Sequence, residues 1–108
     1  MTKKESDFQQ EVKREIEELF PGAIVIKQDP NIIQAFPDLL VLYNSKWVAL
    51  ETKRSEDSAR QVNQEYWVRR LGKMSYASFV YPENLAKVIS DLRYIFTGVR
   101  SRLSIRDI

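Results

Sequence analysis

Residues 37–53 read Pro-Asp-Leu-Leu-Val-Leu-Tyr-Asn-Ser-Lys-Trp-Val-Ala-Leu-Glu-Thr-Lys. Two apolar, β-prone runs, 38–43 and 47–53, flank the turn-forming Asn44-Ser45-Lys46, which is the pattern of a β-hairpin. If Asn44-Ser45 is a two-residue turn, Tyr43 faces Lys46 and, counting outward, Asp38 faces Glu51 on the same side of the sheet. Like charges set opposite each other cost ~0.2–1 kcal/mol, and more when buried, so a positive group belongs between them. Lys53, two residues beyond Glu51, points to that face. A three-residue turn would instead pair Asp38 with Thr52 and leave Asp38 and Glu51 on opposite faces unless a bulge restored the register.

Outward from the hairpin, a helix is predicted over 7–20. Ser6 and Gln9 form a capping box, Phe8, Val12, Ile16, Leu19 and Phe20 recur at helical spacing, and Pro21-Gly22 ends the run. Residues 23–26 form a short strand expected to be buried on both faces, and 29–36 a loop. A second helix runs from Arg60 to Leu71, carrying Val62, Tyr66 and Trp67, with Gly72 as its cap. A fourth strand covers 75–80, and a third helix opens at Pro82 and reaches about Phe96. In the tail, Val99, Leu103 and Ile105 share one parity and Arg100, Arg102 and Arg106 the other, as in a strand or an extended basic arm. The whole is one α/β domain: a mixed, four-stranded sheet flanked by helices, with 1–98 as its body and 99–108 as a basic tail.

Composition narrows the chemistry. The 108 residues include no His and no Cys, which excludes imidazole bases, thiol nucleophiles and zinc-thiolate clusters. Catalysis must rest on carboxylates, Lys, Arg, Tyr or hydroxyls, and any metal is a hard, oxygen-seeking ion. No apolar run approaches the ~20 residues that span a bilayer. The first residues lack a signal-peptide stretch, so a cytoplasmic protein with no membrane partner is expected. The charge is uneven: residues 1–20 hold four bases and six acids, residues 87–108 five bases and two acids, so the basic end points to an anionic partner.

Pro37-Asp38, followed thirteen residues later by Glu51-Thr52-Lys53 at the end of an apolar strand, resembles the PD-(D/E)XK nuclease superfamily. Within it, the compact VRR-NUC and Holliday-junction-resolvase-like nucleases are most similar, including small phage-encoded members of bacterial host cells. Gln64-x-x-Trp67-x-x-x-Leu71-Gly72 is similar to the segment that follows the Glu-x-Lys strand there, although its Gly comes directly after Leu71. The resemblance spans residues 5–96 and implies a restriction-endonuclease-like core of αβββαβα order. It implies that Asp38, Glu51 and the main-chain carbonyl of Thr52 bind Mg²⁺ or Mn²⁺, that Lys53 orients or deprotonates the attacking water or holds transition-state charge, and that Gln64 steadies the lysine or the water.

Relatives often add an acid from the first helix. With Phe8 at zero, the apolar residues span about 0° to 120°, Glu15 falls near about −20° and Glu11 near about −60°. Glu15 is the more inward-facing, Glu11 better fits the distance to the helix-ending glycine, and both also suit i,i+4 surface pairs. Phosphate contacts are expected from Arg54, Arg60, Arg69, Arg70 and Lys73, with Arg100, Arg102 and Arg106 as a second patch. Trp47, Tyr66 and Trp67 suit a core better than a base-stacking platform. The expectation is a metal-dependent DNA endonuclease, selective for junctions or flaps, working as a homodimer or higher oligomer because so small a chain grasps little DNA alone. Its competitors are a sequence-specific restriction or homing-type enzyme and a non-catalytic DNA-binding module. Two facing acids beside a lysine speak against the last.

Overall fold

The computed structural model describes residues 4–99, so the tail with Arg100, Arg102 and Arg106 lies outside the described residues. The elements run α1 (Glu5–Leu19), β1 (Ile24–Lys27), β2 (Leu39–Tyr43), β3 (Lys46–Thr52), α2 (Val62–Met74), β4 (Tyr76–Val80) and α3 (Leu85–Thr97). The sheet order is β1-β2-β3-β4, antiparallel across the first two pairs and parallel between β3 and β4. This is an α/β domain of αβββαβα order with a mixed four-stranded sheet, as the resemblance implies.

The hairpin takes the two-residue turn. Tyr43 pairs Lys46 and Leu39 pairs Leu50. Asn44 and Ser45 sit at φ 50° and 59°, the double left-handed geometry whose twist matches the flanking strands. Asn44 tolerates that region and donates its side-chain amide to the Phe96 carbonyl at 3.2 Å.

One face of the sheet carries Leu39, Val41, Val48 and Leu50, all at most 1% exposed, against Phe8, Val12 and Ile16 of α1 and Val88, Leu92 and Phe96 of α3. Alternation along the strands puts these residues on one side, and the 3.6-residue period supplies the matching helix stripes. Phe20, Tyr43 and Phe96 close the turn end, with ring centroids 5.3–5.8 Å apart. On the other face α2 covers β3 and β4. Since β3 and β4 are parallel, α2 runs back from the Thr52 end of the sheet to the hairpin-turn end.

Several local expectations are corrected. α1 begins at Glu5 behind Lys4, with no side-chain cap, so Ser6 and Gln9 form no capping box. β1 is an edge strand with Ile24 57% and Ile26 40% exposed, not buried on both faces, because only β2 pairs with it and α2 covers the far strands. α2 continues through Gly72 to Met74, as glycine's cost of ~1 kcal/mol in a helix is outweighed by packing on β4. α3 starts three residues after Pro82, which sits in the preceding turn. Trp47, Tyr66 and Trp67 stand outside the main core: Trp67 packs edge-on against Phe36 at 5.1 Å and Tyr66 at 5.2 Å, tying the 29–36 loop to α2. Among the described residues no helix is long and apolar enough to cross a membrane.

Candidate active site

At the Thr52 end of the sheet the core changes character. Glu51, Thr52, Lys53 and Gln9 are all at most 8% exposed. Such groups are kept inside only when bonded, and here every one is. Asp38, directly before β2, accepts three bonds: Oδ1 from the Thr52 N–H at 3.1 Å, and Oδ2 from the Thr52 hydroxyl at 2.6 Å and from Gln9 Nε2 at 2.9 Å. Gln64, in the first turn of α2, donates its amide N–H to Glu51 Oε2 at 3.1 Å. Its carbonyl accepts Lys53 Nζ at 2.8 Å and the Gln61 N–H at 3.1 Å. The second of these bonds is half of the capping box that starts α2. One amide therefore joins the helix start, the glutamate and the lysine. The Lys53 main chain is held in turn by its N–H to the Val80 carbonyl at 2.8 Å.

The electrostatics follow from this packing. Burial pushes the Glu51 carboxyl up to about 8, the charge of Asp38 pushes the same way, Lys53 opposes it, and Glu5 adds a further upward push. Asp38 is also raised, again by burial, against the lowering effect of its bonds to Thr52 and Gln9. Two carboxyl groups thus share a low-dielectric space with one ammonium.

Asp38, Glu51, Lys53, Thr52 and Gln64 come together. Glu15 and Glu11 do not join them: with Arg14, Glu18 and Leu19 they line an open hollow on α1. The acid of α1 at the site is Glu5, which shares a cleft of about 470 Å³ with Lys4, Lys53, Arg54, Ser58 and Ala59. Sequence reasoning overlooked Glu5 and Gln9, although at 100° per residue they fall at about 60° and about 100°, inside the apolar arc. Polar residues on an apolar stripe were the available signal.

Of the expected phosphate contacts, Arg54 lines that cleft. Arg60 lies over Phe79, its guanidinium carbon 4.1 Å from the ring centroid, and Phe79 is the register partner of Glu51. Arg69, Arg70 and Lys73 sit further along α2.

The donors at the site are oxygens, as a hard divalent ion requires. Asp38 retains lone-pair capacity beyond its three bonds, and Glu51 is bonded through Oε2. The residues therefore fit such an ion at the carboxylate pair. Among the described residues no three of His, Cys, Asp and Glu gather into a preformed cage.

Among solved structures the chain is similar to a VRR-NUC domain, with a TM-score of 0.65 and 26% identity, over 79% of this chain and 92% of that one. No family model matches the sequence, and no curated protein matches it. The expected likeness to VRR-NUC and PD-(D/E)XK-type nucleases is borne out by this match, and the fold is that of a VRR-NUC-type nuclease domain.

Proposed function

We propose that the protein is a Mg²⁺- or Mn²⁺-dependent DNA endonuclease that hydrolyses phosphodiester bonds. The observation that carries this reading is the bonded chain Glu51–Gln64–Lys53 beside Asp38. Asp38, Glu51 and the Thr52 carbonyl would hold the cation, with Glu5 as a further acid. When bound, the ion would polarise the phosphate and make a water acidic enough to attack in line, chemistry open to a chain without histidine. Asp38 is aimed by its three bonds before any substrate arrives, which spares reorganisation in the reaction. Gln64 holds the Lys53 ammonium where the charge of the pentacovalent transition state develops, and keeps Glu51 in reach of the same point. Arg54 and Arg60 would fix the backbone on either side.

The substrate class we favour is branched DNA, such as junctions and flaps, in repair, recombination or phage DNA processing. Two copies would pair through the apolar half of the sheet that α2 leaves open, where Ile24 and Ile26 are exposed beside Leu40 and Leu42. Purified protein is expected to cut DNA with Mg²⁺ or Mn²⁺ and to stop in EDTA. Lys53→Ala should keep DNA binding while turnover drops by about 10³-fold or more. Full activity in EDTA, or in that variant, would overturn the mechanism. A panel of single-stranded, duplex, flap and four-way-junction DNA measures the preference.

A further inference from the structure

The bases that follow β3 differ in how they are held. Viewed down α2, Tyr66, Arg69, Arg70 and Lys73 fall within an arc of about 100°, on the side away from Leu71, which is buried against the sheet. Glu65, the acid of this helix, lies about 40° beyond the arc. Among the described residues none of Arg69, Arg70 and Lys73 forms an ion pair. Arg70 Nη1 donates to the Tyr66 hydroxyl at 2.7 Å, and the four side chains line a hollow of about 400 Å³. A guanidinium steadied by a neutral phenol keeps its whole charge and its remaining donors for an anion.

The direction of this stripe matters. Gln64 touches Glu51 and Lys53 at the site end, and α2 then runs down the side of the sheet toward the hairpin turn, so Lys73 lies about 13 Å further along the axis. A duplex confined to the site end would meet only the first turn of α2, whereas an arm diverging along the helix would meet the stripe. From Tyr66 to Lys73 the stripe is about 10 Å long, so at ~3.4 Å per phosphate along a strand it matches about three phosphates of that arm.

We propose that the outer face of α2 docks the phosphate backbone of a diverging duplex arm, so that the preference for branched over linear DNA is set there. The inference rests on the nuclease reading above, but its test is made on binding alone. Binding of a four-way junction and of a linear duplex of the same arm sequence is measured in EDTA across a salt series. The wild-type protein is expected to bind the junction at least tenfold more tightly. The Arg69→Ala/Arg70→Ala/Lys73→Ala variant, matched for circular dichroism and Tm, should bring the junction down to the duplex level, with its salt slope reduced by about 2–3. Tyr66→Phe should give a smaller loss confined to the junction. Equal loss on both DNAs, or a junction preference that survives the triple substitution, would overturn the proposal. Loss of the preference in a protein whose wild type cuts no DNA with either metal would sink the nuclease reading and leave the α2 surface standing.

Discussion

At its N-terminal end α1 brings Glu5 and Gln9 to the carboxylates of the sheet, whereas Glu11, about half a turn past Gln9, and Glu15, about one turn further, line a solvent-open hollow with Arg14 and Glu18. The two ends carry the same chemistry and lie on one continuous helix. Rotation about the axis does not separate them well, since Glu15 stands only about 20° outside the apolar arc. For Glu15 height does: Glu5 and Glu15 are about 15 Å apart along the axis, and the site occupies one end of the sheet, whereas Glu11, about 3 Å past Gln9, is turned away by about 60° from the apolar arc. A glutamate becomes part of the site by standing level with the last residues of β3.

The largest effect is expected on the pH dependence of stability. In the folded protein without divalent ions the Glu51 carboxyl titrates at about 8 rather than at its ordinary 4.5. The fold favours the protonated form, so its stabilising contribution is complete below about 4.5 and is lost as pH rises through about 8. The unfolding free energy in EDTA should fall across that window by up to about 5 kcal/mol, read as a lower denaturation midpoint. Glu51→Gln should flatten the curve, and Glu11→Gln or Glu15→Gln should leave it in place. A midpoint that rises with pH would show that Glu51 is not buried beside Asp38 as described.

Cleavage gives the next largest contrast. Glu5→Gln is expected to lower kcat/KM by about tenfold, roughly 1.4 kcal/mol of transition-state stabilisation, and to raise the Mg²⁺ concentration needed for half-maximal rate. Glu15→Gln and Glu11→Gln should stay within about twofold of wild type. If Glu15→Gln is the damaging change, the assignment of ends is reversed. The smallest effect is expected at Gln9. Gln9→Ala removes one donor from Asp38 while Thr52 keeps two, so urea denaturation should show a loss of about 1 kcal/mol. A loss above about 3 kcal/mol would mean that Gln9 supports the core rather than the carboxylate.

Most of the frame was legible along the chain. The hairpin, its flanking strands and the stripes of α1 and α3 follow from periods of two and 3.6, which local sterics impose wherever one face must be buried. Element ends were less legible. Gly72 and Ser6 looked like a stop and a start by local propensity, yet packing on β4 carried α2 past the first, and α1 opened one residue before the second. The exposure of β1 depends on which strands α2 covers, and the hairpin and helix patterns carry no information on that.

The order of residues alone gave two registers for Asp38, opposite Glu51 or opposite Thr52, together with the restriction to oxygen ligands, because alternation and composition are local properties; the two-residue turn of the folded hairpin chose the first. Tertiary structure alone decided that Glu5 and not Glu15 stands at the site, that Gln9 orients Asp38, and that one amide of Gln64 joins Glu51 to Lys53. Those outcomes depend on how high each helix sits against the sheet, and that height is set by the packing of side chains distant in sequence.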